Sequence, residues 1–318
     1  MLKLNSLSGF GSGVAGGAGG ATLGYICGGN TGAGPHATNT SRIVFSTSVL
    51  TAATDSDLAQ AEANTMGVSD LSTYGYVNGS GGTPEVISQR MTFSSEVFAM
   101  NTDSDLTVPS ESGIPLNDAS TYGYFVGGYT GDFGNQIDRL TFSSSTTAAT
   151  TETIDGTLQQ CPGLNDGIGT YGYSHGGYDG GTTLEAQRMT FSTGAMGHNT
   201  DSDLSSARTE GVSLSDATTY GYIMGGQTGG GRLEITDRLT FSSSVATAHT
   251  DADLETATGN GTGTSDGATY GYYCGGDTGA KVAKSERLTY SSGTSAAHTD
   301  SDLLVAFSAA SGLADSAV

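Results

Sequence analysis

The chain has 318 residues, 35% of them hydrophobic, with 51 Gly, no Trp, and a net charge of −21 from 11 basic and 32 acidic side chains. That charge repels phosphates and anionic membrane surfaces, so nucleic acid is not an expected partner. No stretch is long and apolar enough to predict membrane insertion. The Gly-rich composition resembles that of disordered chains, but such chains do not place aromatic residues at a fixed period.

Residues 1–22 form a Gly-rich N-terminal arm with a single Lys and no continuous apolar core. It lacks the apolar region of about 7–15 residues that marks a secretory signal, so export is not expected. Such an arm is suited to threading into a neighbouring subunit.

From residue 23 onward the chain repeats. The anchor is an aromatic–Gly–Tyr step running into a glycine doublet, with repeats starting near 23, 74, 122, 171, 220 and 270. The copies read LGYICGG, YGYVNGS, YGYFVGG, YGYSHGG, YGYIMGG and YGYYCGG. Their second tyrosines are Tyr25, Tyr76, Tyr124, Tyr173, Tyr222 and Tyr272, spaced by 51, 48, 49, 49 and 50 residues.

The fifth copy serves as a template. Residues 207–216 read as a first strand with a turn at Asp216, and 219–226 as an aromatic second strand closed by two glycines. A Gly-rich loop, 227–233, precedes a third strand, 235–242, on which Leu239 and Phe241 share one face and Arg238 and Thr240 the other. A short fourth strand, 245–249, leads into an acidic turn. Four short antiparallel strands repeated six times predict an all-β, six-bladed β-propeller occupying residues 23–318. The Gly between the two tyrosines is expected to admit a close neighbour.

A first-strand-like segment occurs a seventh time, at 304–318, placing Asp315 where the template has Asp216. This C-terminal strand is predicted to complete the blade begun at residue 23 and so remove two exposed sheet edges. The Gly-rich stretch 11–22 is the competing candidate for that place.

These units resemble the kelch repeat: an aromatic strand into Gly-Gly, a loop, a strand carrying an aromatic, a polar turn, and a next first strand in which Ala207-Arg208 sits near the start. The chain departs from that pattern in lacking Trp, in carrying Ser80 for the second Gly of one doublet, and in reading Thr-Glu-Thr-Ile-Asp at 151–155 where other copies have Asp-x-Asp. The form GY-x-x-GG…R-[LMI]-[TV]-F-S…AxTD is further similar to kelch-like proteins encoded by tailed bacteriophages and carried on virions. The resemblance implies a structural or adhesion module of a virion tail, fibre or nozzle, within a multi-subunit assembly. Its implied partners are other virion proteins and a host-surface glycan or protein. A cellular kelch-type interaction scaffold and a galactose-oxidase-like or glycan-active enzyme are the rival readings.

Several residue sets invite chemistry. The Asp-x-Asp doublets can supply oxygens to Ca²⁺, with Asp103, Asp105, Asp201, Asp203, Asp251 and Asp253 as candidate ligands. They lack the following Gly and distal Glu of a calcium loop, and the reading taken is an Asx-type turn capping backbone N–H groups. Arg42, Arg90, Arg139, Arg188, Arg238 and Arg287 recur one per copy on the face opposite Leu/Phe. They are read as structural, partly buried and paired with the turn aspartates Asp70, Asp118, Asp166, Asp216, Asp266 and Asp315 or with the doublets. Cys27, Cys161 and Cys274 show no disulfide or zinc spacing, and Cys27 and Cys274 share one strand position. The histidines sit on different copies, and 11 of the 15 Tyr belong to the repeated step. No catalytic constellation, metal or cofactor is therefore expected. What varies is the loop after each doublet (30–40, 81–87, 129–136, 178–185, 227–233 and 277–284), all predicted to emerge on one side of the ring. Tyr129, Phe133 and Tyr178 are expected to be exposed aromatics there, and Asp179, Arg232, Lys281 and Lys284 are further binding candidates.

Overall fold

A computed structural model describes residues 21–32, 36–80, 84–118 and 120–316. Most of the arm, residues 1–20, lies outside them. The remainder forms six four-stranded antiparallel sheets arranged as the predicted propeller. From inside outward, blade one is built from Ser311–Ser316, Ala21–Cys27, Thr40–Val44 and Val49–Ala52. Blade two is Ala63–Ser69, Tyr74–Ser80, Ser88–Thr92 and Val97–Met100, and blade three Ile114–Asn117, Tyr122–Val126, Gln136–Thr141 and Thr146–Thr153. Blade four is Gly163–Asn165, Tyr171–Tyr178, Thr182–Thr190 and Ala195–His198. Blade five is Val212–Ser215, Tyr220–Met224, Thr236–Thr240 and Val245–Ala248, and blade six Thr262–Ser265, Tyr270–Cys274, Ser285–Thr289 and Thr294–Ala297. The first strand of the template is shorter than expected, because residues 207–211 belong to the connector that leads to it.

Ring closure follows the C-terminal reading. Ser311–Ser316 pairs antiparallel with Ala21–Cys27, with Leu313 opposite Tyr25. Asp315 Oδ1 accepts the backbone N–H of Leu23 at 2.7 Å, as Asp216 Oδ1 accepts that of Tyr220 at 2.9 Å within blade five. The inner strands contact one another in an unbroken circle.

Three annuli explain why the repeated residues recur. In the first, the second Tyr of every blade stacks against the aromatic residue ending the third strand of the next blade. The pairs are Tyr25–Phe93, Tyr76–Phe142, Tyr124–Phe191, Tyr173–Phe241, Tyr222–Tyr290 and Tyr272–Phe45, with centroids 5.5–6.2 Å apart. Each such pair contributes about 0.5–1.5 kcal/mol beyond its buried area. The Gly preceding these tyrosines is needed for space: a Cβ on Gly172 would lie 2.8 Å from Phe191 Cζ.

A second annulus is made of backbone alone. Just before each inner strand, or at its irregular start in blade two, one residue adopts a left-handed conformation: Asn64, Ser112, Gln160, Glu210, Asn260 and Ala309, with φ between 56° and 67°. The N–H of each donates to the carbonyl of its counterpart in the preceding blade, at 2.8–3.1 Å, and Asn64 N–H donates to Ala309 O to complete the circle. A left-handed non-Gly residue costs about 1–2 kcal/mol, and a closed chain of satisfied peptide groups offsets it.

The third, spanning blades two to six, uses the residue before the repeated Arg to hold the connector arriving from the preceding blade; blade one has Ser41 at this position. Gln89 Oε1 accepts Gln60 N–H at 2.9 Å, Asp138 Oδ2 accepts Thr107 N–H at 2.7 Å, and Gln187 Oε1 accepts Asp155 N–H at 3.2 Å. Asp237 Oδ1 accepts Ser205 N–H at 3.2 Å and Glu286 Oε1 accepts Glu255 N–H at 2.9 Å.

Candidate binding surface

The repeated arginines do not pair with the aspartates expected for them. Arg90, Arg139, Arg188, Arg238 and Arg287 lie over the rings of Tyr74, Tyr122, Tyr171, Tyr220 and Tyr270, 4.3–4.5 Å from the centroids. The register explains it: Arg90 opposes Tyr76, which puts Tyr74 on the neighbouring diagonal. The guanidinium tips reach the left-handed turn residue of the next blade. Arg90, Arg188 and Arg287 donate to Ser145, Ser244 and Ser48, and those hydroxyls also bond Tyr76, Tyr173 and Tyr272. For Arg139 and Arg238 that turn position is Gly194 and Gly293, which offer no hydroxyl, and Arg139 is exposed, against expectation. Blade one has Leu23 in place of the first Tyr, and there Arg42 Nη1 donates to both carboxylate oxygens of Glu96, at 2.7 and 2.8 Å.

The turn aspartates serve backbone. Asp70 Oδ1, for example, accepts the N–H groups of Ser72, Thr73 and Tyr74 at 2.6–2.9 Å. In each acidic doublet the first Asp is exposed within a short 3₁₀ turn and the second accepts a backbone N–H at the start of its blade's third strand. Asp57, Asp105, Asp203, Asp253 and Asp302 bond Thr40, Ser88, Ala186, Thr236 and Ser285 at 2.6–2.9 Å. This is the capping role. Among the described residues no group of three or more His, Cys, Asp or Glu is placed to hold a metal ion. Blade three, without the doublet, extends its fourth strand to Thr146–Thr153 instead.

Of the histidines, His198 bonds Asp203, His249 bonds Gly293 O, and His298 contacts Arg287, each within its own region of the ring. His175 is fully buried against Tyr173, and burial, aided by Arg208, pushes its imidazole down to about 3. All three cysteines are buried and free.

Among the described residues, five of the six variable loops start at equivalent places on one side of the ring. Their first residues pair with the residue just before the left-handed position of the inner strand: Asn30 with Ser308, Tyr129 with Glu111, Tyr178 with Gln159, Gln227 with Thr209 and Asp277 with Gly259. That pinning half-buries the aromatics expected to be exposed. Tyr129 bridges to Phe133, and Phe133 packs on Tyr178 across blades three and four with centroids 5.8 Å apart. Asp179 remains exposed, its Oδ1 closing a turn on Gly181 N–H at 3.3 Å. Arg232 and Lys281 are both engaged by Asp277, at 2.9 and 3.2 Å. Although burial opposes it, the Gly279 N–H and these two cations hold the Asp277 carboxyl below the usual range. Lys284 is exposed and borders a cavity of about 220 Å³ in blade six that periodicity did not indicate.

No helix among the described residues is long and apolar enough to cross a membrane. No protein-family model matches the chain, and no curated protein does either.

Proposed function

We propose that this propeller is a non-enzymatic, kelch-like structural and adhesion module of a bacteriophage particle, docking to other virion proteins and presenting its variable loops to a host surface. One observation carries the reading. The repeated tyrosines, arginines and aspartates bond within and between blades, whereas the loops that differ between copies are pinned at their first residue on one side of the ring in five blades. A rigid ring displaying divergent loops suits recognition of other macromolecules. The charge of −21 disfavours nucleic acid as the partner, and the style of the repeat supports the phage setting. The test is the composition of particles assembled from the genome that encodes this chain. The chain is expected to be a stoichiometric component of purified particles, and its recovery solely as a free monomer contradicts the reading.

A further inference from the structure

One position changes character from blade to blade in a way that leaves a vacancy. Two residues before the left-handed position of each inner strand stand Glu62, Ser110, Leu158, Arg208, Thr258 and Phe307. Leu158 and Phe307 belong to apolar core clusters. In blade five the occupant is Arg208, whose guanidinium is 1% exposed. Its Nη1 donates to Asp237 Oδ2 at 2.8 Å and Ser206 O at 3.3 Å, and its Nη2 to Ile223 O at 3.0 Å.

Blade six repeats this receptor without the cation. Glu286 stands in the place of Asp237, Thr256 of Ser206, Tyr273 of Ile223, and Thr258 of Arg208. Thr258 is too short to fill the space and bonds the carbonyl of Thr256 at 2.8 Å. The cavity of about 220 Å³ opens among these residues. Three carboxylates line it (Glu255, Glu286 and Asp302) against one ammonium, that of Lys284. Burial, with Glu255 adding to it, raises the Glu286 carboxyl above its usual range, which a bound cation would reverse.

Blade three shows why a small residue alone does not make such a site. Ser110 leaves a cavity of only about 20 Å³ there. Its acid, Asp138, is held by Thr107 and by Gln136 Nε2 at 2.7 Å, whereas Glu286, bonded by Glu255 N–H at 2.9 Å and Ser295 Oγ at 3.2 Å, borders the far larger blade-six cavity.

We propose that the blade-six cavity is a receptor for a guanidinium group, an arginine side chain of a partner chain, held by Glu286 as Arg208 is held by Asp237. That the arginine belongs to a partner protein rests on the interaction-module reading above. The binding test uses the isolated chain, so its failure leaves that reading standing on particle composition.

N-acetyl-arginine amide is titrated into the full chain, with N-acetyl-citrulline amide as the neutral isostere and ethylguanidinium as the non-peptide source. Amide resonances around Thr258 and Glu286 are followed by NMR. The expected result is saturable binding of the arginine derivative, at least tenfold weaker binding of citrulline, and tenfold weaker arginine binding to Glu286→Gln. Thr258→Arg, which supplies the group from the chain itself, is expected to abolish binding while raising the melting temperature. Equal binding of citrulline, no perturbation at these residues, or unchanged binding to Thr258→Arg overturns the proposal. Ethylguanidinium binding as tightly as the arginine derivative overturns the peptide source.

Discussion

The hydroxyls of Tyr272 and Ser48 lie 2.6 Å apart, joining the last blade to the first across the seam where the chain closes on itself. Arg287 Nη1 reaches the same Ser48 oxygen at 3.3 Å. Tyr76 and Arg90 meet Ser145 in the same way, and Tyr173 and Arg188 meet Ser244. The seam is therefore bonded like an ordinary blade boundary. Ser48→Ala leaves the buried Tyr272 hydroxyl without this partner and is expected to cost about 1–2 kcal/mol in chemical denaturation. A stability equal to the parent's would show that the seam does not rely on this contact.

Arg238→Ala removes a guanidinium stacked 4.4 Å from the Tyr220 ring. Lost cation–π and stem packing are expected to lower stability by about 1 kcal/mol, with no loss of partner binding. An unchanged melting temperature contradicts the structural role. Arg139→Ala is expected to cost less, since Arg139 is exposed whereas Arg238 is half-buried, both having Gly (Gly194 and Gly293) at the neighbouring turn.

Glu62 gives stability a pH dependence. It is 1% exposed, and burial, with Glu85 adding to it, pushes its carboxyl up to about 8 from 4.5. Between those values the folded chain holds a proton that the unfolded chain has released. The Glu62 contribution therefore declines as pH rises from about 4.5 to 8 and levels off beyond. Glu62→Gln is expected to match the parent near pH 4 and exceed it at pH 9 by on the order of a few kcal/mol. Melting temperatures of the two proteins that stay parallel from pH 4 to 9 contradict the assignment.

The backbone annulus is open to substitution at Ala309. Ala309→Gly accepts the φ of 61° more readily and is expected to be neutral or slightly stabilising. Ala309→Pro removes the N–H donated to Asn260 O at 3.0 Å and forbids that φ. It is expected to cost about 3 kcal/mol or more by denaturant titration. A proline variant as stable as the parent would mean that the closed circle contributes nothing.

Blade number, strand order and the C-terminal closure are legible in the sequence because they rest on periodic residue types: Tyr-Gly-Tyr, Gly-Gly, and the Asp of the inner-strand turn. The alignment of Asp315 with Asp216 is the clearest case, since it predicts that the C-terminal strand completes the first blade, though the bond Asp315 makes is to Leu23 N–H and not to an arginine. The arginine partners are not legible, because stacking on Tyr74 rather than pairing with Asp70 depends on cross-strand register. The left-handed circle is hidden for a different reason. Asn64, Ser112, Gln160, Glu210, Asn260 and Ala309 share no side-chain chemistry, and only their peptide groups take part. The loop candidates were half legible. Their common side follows from the propeller, but the pinning of Tyr129 and Tyr178 and the pairing of Arg232 with Asp277 arise from contacts between copies, while Lys281 meets Asp277 within its own loop. The blade-six cavity exists because Thr258 replaces Arg208, a difference that acquires meaning once Asp237 and Glu286 are known to face it.

Hydrogen exchange of six amides tests the account most directly. If the repeat is the framework of one closed ring, the N–H groups of Asn64, Ser112, Gln160, Glu210, Asn260 and Ala309 will exchange together, at the slow limit set by global unfolding. Exchange at Asn64 and Ala309 that is orders of magnitude faster than at the other four would show a ring that opens at its seam, and would contradict it.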